Sequence, residues 1–336
     1  MDKLHLEANE STLEFNALKL NREDLVEAFQ RDGFAVIRNA IPGHLCSQTF
    51  AAFDLEIKPS KYHFRRQTSG FQPHIFTPFG YMRDALMSIQ DLPIKQFPYF
   101  KNQLLSTVTA ASIQDIVMDL IGEPGRIIYT MCFEGNQQTH AHRDSHTIDA
   151  EQIGQMVGVW IAAEDIHPGA GRFYVVEGSH KAVSPPELGL DQLHPNSPEY
   201  KQQMATWVQT CGLPVVAPVL NQGDILLFHS LTVHGSLPTS NPERSRKSIT
   251  CHYIPLSQQP IWFRSTRSEC EEIEVNGVPI ALHGYRPITP ITASQRRLQA
   301  TLDSQLGIAR RFVAHRVPGL YRIAKVVASN LKGNPL

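Results

Sequence analysis

The sequence predicts a mainly β domain of the sandwich or jelly-roll type with helices around it. Two observations carry that expectation. Six short apolar, β-branched runs follow one another between residues 126 and 255, punctuated by Gly, Pro and Asn. Helical patterns occupy the segments before and after them. A third observation permits the expectation: 42% hydrophobic and 19% charged residues over 336 positions suffice for a sizeable core. That length corresponds to two average domains or to one elaborated β domain.

Residues 1–20 are polar and read as a loosely docked segment. Residues 21–31, NREDLVEAFQR, predict a helix: Asn21 or Asp24 caps it, acids fill its first turn, and Leu25, Ala28 and Phe29 form its apolar stripe. Gly33 stops it. FAVIRNAI then predicts a strand, and Pro42-Gly43 introduces a second helix through Phe53. Residues 58–80 lack periodicity and read as a loop. Residues 85–122 read as mostly helical, broken at Pro93 and Pro98. The six runs are RIIYTMCF, QMVGVWIAAE, RFYVVEG, LPVVAPVL, DILLFH and KSITCHYIP, with a partly helical insertion over residues 185–210. The domain is expected to end near residue 291. From Thr292 onward a helical pattern carries eight Lys and Arg against the single Asp303, and predicts a tail that packs on the domain or on a second copy in a homo-oligomer.

The net charge of −1 argues against nucleic acid as a partner. No run of 18 apolar residues exists, which argues against a membrane span. The N-terminus, MDKLHLEANESTLEF, lacks the apolar core of a secretory signal. Five cysteines at 46, 132, 211, 251 and 270 never form a CxxC pair, so reduced thiols in the cytoplasm are expected.

The fifteen histidines are more informative, because three of them, His140, His142 and His146, fall within seven residues. His142 and Asp144 form an HxD pair. On an extended chain residues i and i+2 point to one side, so an imidazole and a carboxylate converge on one ion. A third ligand from a distant strand completes the two-His, one-carboxylate arrangement of non-haem Fe(II) oxygenases. The same residues allow a second pattern, a zinc hydrolase using His140, His142 and His146. A non-catalytic jelly-roll binding module is the third reading. His234 lies ninety residues after Asp144, behind the buried run DILLFH, and Arg246 lies twelve residues after that at a strand start. A guanidinium there is a natural bidentate partner for the far carboxylate of a dicarboxylic cosubstrate.

With these blocks in order, the chain resembles the phytanoyl-CoA dioxygenase family of Fe(II)/2-oxoglutarate-dependent oxygenases. The matching pieces are DGFAVIRNAIP, YTMCF, HRD, VWIAAEDIHPGAGRFYVVEGSHK, GDILLFHSLTVHGS and RKSITCHYIP, spread over most of residues 22–255. The resemblance implies a cupin-like double-stranded β-helix with helices packed outside. It implies Fe(II) on His142, Asp144 and His234, and 2-oxoglutarate on Arg246 and Ser236, with Trp160 and Met131 beside it. O2 and a small-molecule substrate complete the reaction, which releases succinate and CO2. Two positions depart from the family: Glu177 stands where proline is usual, and Arg143 sits inside HxD where glutamine is frequent. Arg143 is expected to point away from the metal, toward substrate or solvent. Asp144 argues against the related halogenases, which need a small residue there. Candidates for the substrate wall are Tyr62, His63, Phe64, Arg65, Arg66, Trp262 and Phe263.

Overall fold

The computed structural model describes residues 8–10, 13–67, 70–136, 138–182, 189–190, 193–263, 266–267, 270–298 and 301. The chain divides into two units, Met1–Pro287 and Ile288–Leu336. In the second, residues 290–298 and 301 are helical; residues 299–300 and 302–336 of the expected tail lie outside the described residues.

Within the first unit, helix α1 (Arg22–Asp32) begins where the Asn21 side chain accepts from the Glu23 N–H. Glu23 and Asp24 complement its positive end. It ends at Gly33, whose φ of +80° is the left-handed conformation a C-cap requires. Strand β1 (Phe34–Arg38) follows, then α2 (Gly43–Ala52). Residues 64–72 correct the loop expectation: Phe64–Arg66 and Gly70–Gln72 pair as a hairpin. Leu86–Met87 is a strand joining that hairpin to the main sheet, not the start of a helix. Pro98 opens α3 (Pro98–Val108) instead of breaking it, because a first-turn N–H has no partner to lose. A two-residue break then leads to α4 (Ala111–Ile121).

The six runs all form strands: β2 (Gly125–Phe133), β4 (Val157–Ala162), β5 (Phe173–Val176), β6 (Val215–Val216), β7 (Ile225–His229) and β9 (Ser248–Pro255). Between them lie the short β3 (Ile148–Ala150), α5 (Pro198–Thr210) and β8 (His234–Ser236), and β10 (Pro260–Trp262) follows. The large sheet runs β1-β7-β4-β9-β2 before reaching the Leu86 strand and the hairpin. A second hairpin, Glu271–Val275 with Val278–Leu282, attaches to β2. The small sheets are β6-β5-β8, and β3-β10 with Thr266–Arg267.

Alternation along the strands divides the side chains between two faces. Val159, Ile161, Ile225, Leu227, Ile249, Cys251 and Tyr253 face outward, where α2, α3 and α4 bury them with Phe50, Leu104 and Val117. Each such side chain contributes about 1.5–3 kcal/mol by leaving water. This packing explains the apolar stripes of α3 and α4. Among the described residues no single helix is long and apolar enough to cross a membrane; these two pass only as a pair, bent by 46°. The inner face forms cross-strand rungs: Phe133–Ser248–Ala162, then Met131–Thr250–Trp160, then Tyr129–His252–Gly158. Phe34, Val36, Leu226 and Phe228 join Trp160 against Phe173, Val175 and Val216 of the small sheet, and close the jelly roll at one side.

Candidate metal and cosubstrate site

His142 and His234 come together through the backbone. Each donates its N–H to the other's carbonyl at 3.0 Å, a bridge that ties the loop after β2 to the start of β8. Their rings lie 4.3 Å apart. The His142 Nδ1 donates to the His140 carbonyl at 2.9 Å, and the His234 Nδ1 to the Thr232 carbonyl at 3.0 Å. Both protons are thereby placed on Nδ1, which leaves both Nε2 lone pairs free and aimed alike. Asp144 Oδ1 faces them, 3.3 Å from His142 Nε2 and 3.6 Å from His234 Nε2. Among the described residues this is the one group of histidine, cysteine and acidic side chains gathered closely enough to hold a metal ion.

The electrostatics suit a cation. Burial opposes ionisation of Asp144, but the imidazoles of His234, His252 and His142 outweigh it and hold its carboxyl well below the usual range. Burial, with His142 adding to it, pulls His234 down to about 4, so its imidazole is neutral at pH 7. At His142 burial opposes the charge, but Asp144 outweighs it and raises the pKa. With both Nε2 atoms deprotonated, the two imidazoles and the carboxylate form the donor set that an Fe(II) ion prefers, with coordination positions left open.

The zinc-hydrolase pattern does not assemble. His146 turns its Nδ1 to the Tyr200 hydroxyl at 2.6 Å. His140 lines the cavity, but its own carbonyl orients His142 and its ring stays outside the ligand group. Arg143 points away from the metal, as alternation requires, but reaches neither solvent nor substrate. It is buried, donates to the Ser179 and Ala182 carbonyls, and lies over the Trp207 ring of α5.

Arg246 is 2% exposed. Its Nη1 donates to the Gly171 carbonyl at 3.2 Å, its plane lies by the Phe133 ring, and no carboxylate among the described residues pairs with it. Burial lowers its pKa to about 10, which still leaves it cationic. A buried cation without a counter-charge is costly, so the site fits an anion. Lys247 faces the other side of β9, over Phe50, and Arg244 is exposed. Met131, Trp160 and Arg246 line the same cavity as the three metal-binding candidates. Ser236 is placed differently. Its hydroxyl donates to Asn136 Oδ1 and accepts from the Thr139 N–H, and it is absent from the cavity wall. Ser248, two residues along β9 from Arg246, instead has a buried hydroxyl without a protein partner.

One residue escaped the sequence reading. His252 donates from Nε2 to Asp144 Oδ2 at 2.9 Å, and so turns the other carboxylate oxygen toward the two histidines. Its even spacing from Arg246 along an alternating strand was the available signal. Of the candidates for the substrate wall, Arg65, Arg66, Trp262 and Phe263 line the cavity. Tyr62, His63 and Phe64 do not; Phe64 packs between His74 and Phe97.

A jelly roll that gathers two imidazoles and a carboxylate in one cavity with a buried, unpaired guanidinium defines the non-haem Fe(II)/2-oxoglutarate oxygenase class. Residues 29–248 match the family model described as Phytanoyl-CoA dioxygenase (PhyH), and the chain belongs to that family. It is a 2-oxoglutarate-dependent oxygenase. The peroxisomal phytanoyl-CoA dioxygenase of Homo sapiens is 23% identical over 305 residues, covering 82% of this chain and 79% of that protein. In fold, the chain resembles the non-heme alpha ketoglutarate dependent carbocyclase SnoK from nogalamycin biosynthesis. The TM-score is 0.55 at 16% identity, over 83% of this chain and all of SnoK. EctD from S. alaskensis, solved with 2-oxoglutarate and 5-hydroxyectoine, gives 0.52 at 18% identity over 83% of this chain and 92% of EctD.

Proposed function

We propose that this oxygenase hydroxylates an unactivated C–H bond of a free small molecule, a natural-product intermediate or an acyl derivative. One substrate, one 2-oxoglutarate and one O2 give the hydroxylated product, succinate and CO2. The observation that carries this reading is the placement of His142, Asp144 and His234 in one cavity with the unpaired Arg246. Fe(II) on those three residues would supply the activation of O2. The protein's own part is to bind and orient. Arg246 takes the far carboxylate of 2-oxoglutarate, as its burial without a counter-ion favours. Met131, Thr250 and Trp160 form the rung between that guanidinium and the one that carries His252. The apolar rings of Phe133, Phe173 and Phe228 keep water from the reacting centre.

Anaerobic titration of the Fe(II) protein with 2-oxoglutarate, followed by charge-transfer absorption, tests the reading, together with succinate release from a metabolite panel. Binding of one 2-oxoglutarate per chain is expected, with both signals lost in Asp144→Ala. Full succinate release by Asp144→Ala would overturn it.

A further inference from the structure

Arg65 belongs to the hairpin at the far edge of the large sheet, which periodicity did not reveal. Its guanidinium lies flat on the Tyr285 ring, 3.5 Å from the centroid. Stacking of this kind fixes the plane and leaves the N–H edge free to donate in a fork. Its Nε is buried without a hydrogen-bond partner. The Tyr129 hydroxyl lies beside it and takes a side-chain hydrogen bond from it, with Trp262 edge-on to Tyr129 at 5.9 Å and His283 edge-on to Trp262 at 5.0 Å.

Three guanidiniums line the cavity, and two are accounted for. Arg246 faces the cosubstrate end. Arg66 donates to the Asp84 carbonyl at 2.9 Å and lies against His74. The described lining residues include two carboxylates, Asp144 and Glu271, and neither pairs with Arg65. Arg65 is thus a preorganised cation facing the cavity.

Its position separates it from the cosubstrate. Arg246 packs by Phe133, whereas Arg65 sits by Tyr129. These two residues are four apart on β2, about 13 Å at ~3.3 Å per residue. The rung of Tyr129 holds His252, and His252 holds Asp144. Arg65 therefore lies by the rung of Tyr129 and His252, two rungs from the Phe133 rung beside Arg246. The cavity measures about 740 Å³, within the usual range for a small-molecule site, which is ~300–1,000 Å³.

We propose that Arg65 anchors the carboxylate of an apolar monocarboxylic acid, the substrate class of this site, with Tyr285, Tyr129 and Trp262 flanking its body. A single guanidinium matches the single charge of a carboxylate. The inference rests on the oxygenase reading above and is separable from it.

The test uses the full-length Fe(II)–2-oxoglutarate complex under argon. Its charge-transfer band is followed while a panel of alicyclic and aromatic monocarboxylic acids, their methyl esters and the matching phosphate monoesters is titrated in. Acids should bind and esters should not, and Arg65→Gln should weaken the acids on the order of tenfold to a hundredfold while the Kd for 2-oxoglutarate stays the same. Arg65→Lys should recover part of the loss. Esters binding as well as acids, phosphate monoesters binding better than acids, no acid binding at all, or a preference that survives Arg65→Gln would each overturn the assignment. Failure of the wild-type complex to form would instead overturn the oxygenase reading.

Discussion

The two ends of the cavity are built by different means. At the metal end the residues come from the strands and their connections: the HxD pair after β2, His234 opening β8, and Arg246 just before β9. At the other end Arg65, Trp262, His283 and Tyr285 come from an edge hairpin, a three-residue strand and the chain after the second hairpin. Chemistry shared by a family is carried by the sheet, which fixes side chains to a face and a rung. In the proposal above recognition falls to edge segments, where sequence can change without disturbing the core.

Substitutions at the metal end should therefore act steeply, and those elsewhere by degrees. Arg246→Ala should show the largest effect. Losing the partner of a buried charge pair costs about 3–5 kcal/mol, a hundredfold or more in 2-oxoglutarate affinity at about 1.4 kcal/mol per tenfold. Iron should stay bound, and Arg246→Lys should recover only part, because a lysine lacks the two-pronged contact. The anaerobic titration measures both.

His252→Ala sharpens the comparison at one step's remove from the metal. Removing a partner of a metal ligand commonly costs about 10- to 100-fold in metal affinity. His252→Gln, which keeps an N–H donor, should recover much of it. Competition against a calibrated chelator reads the difference; equal iron affinity in wild type and His252→Ala would show that Asp144 needs no orienting donor.

Acid should weaken the fold, with His142, whose pKa Asp144 raises, acting in the opposite sense. Burial pulls His234 at the metal end, and His74 beneath Arg66 and His229, each down to about 4. Unfolded histidine titrates near ~6.5, so below that pH the unfolded chain takes up protons that the folded chain excludes. The stability these groups hold is present above about 6.5 and is lost as pH falls toward 4. Asp144 contributes in the same direction at lower pH, since its carboxyl is depressed in the fold. The metal-free protein should show a Tm that falls steadily between those limits in a calorimetric pH series.

Gly158→Ala should have the smallest effect on cosubstrate binding, through a shift of the Phe228 ring. A Cβ there would meet the Phe228 ring at 2.1 Å, and Phe228 packs on His234 with centroids 4.5 Å apart. Overpacking of about 1–3 kcal/mol lowers Tm by several degrees, at about 2–4 °C for each kcal/mol. Cosubstrate affinity should change less than in Arg246→Ala.

The contrast between the ends also explains what the sequence could reveal. The six core strands were legible because each is a run of buried β-branched residues. His142, Asp144, His234 and Arg246 were legible because they stand at fixed intervals around those runs. The hairpin at residues 64–72 was not, because strands of three residues carry no alternation to detect. His252 read as one more strand residue, since its meaning comes from a contact 108 positions away. Ser236 shows the reverse case: the motif was readable, but Asn136 and Thr139 share its hydroxyl for reasons only the folded loop discloses.

The clasp around Arg143 has one more consequence. Its guanidinium fastens the metal loop to the carbonyls of Ser179 and Ala182 and lies on Trp207, while His146 and the Arg143 N–H meet the hydroxyl of Tyr200. Helix α5 thus contacts the metal loop directly, through Tyr200 and Trp207. Metal binding should therefore slow hydrogen exchange in α5 as well as in the loop, read by exchange with and without Fe(II).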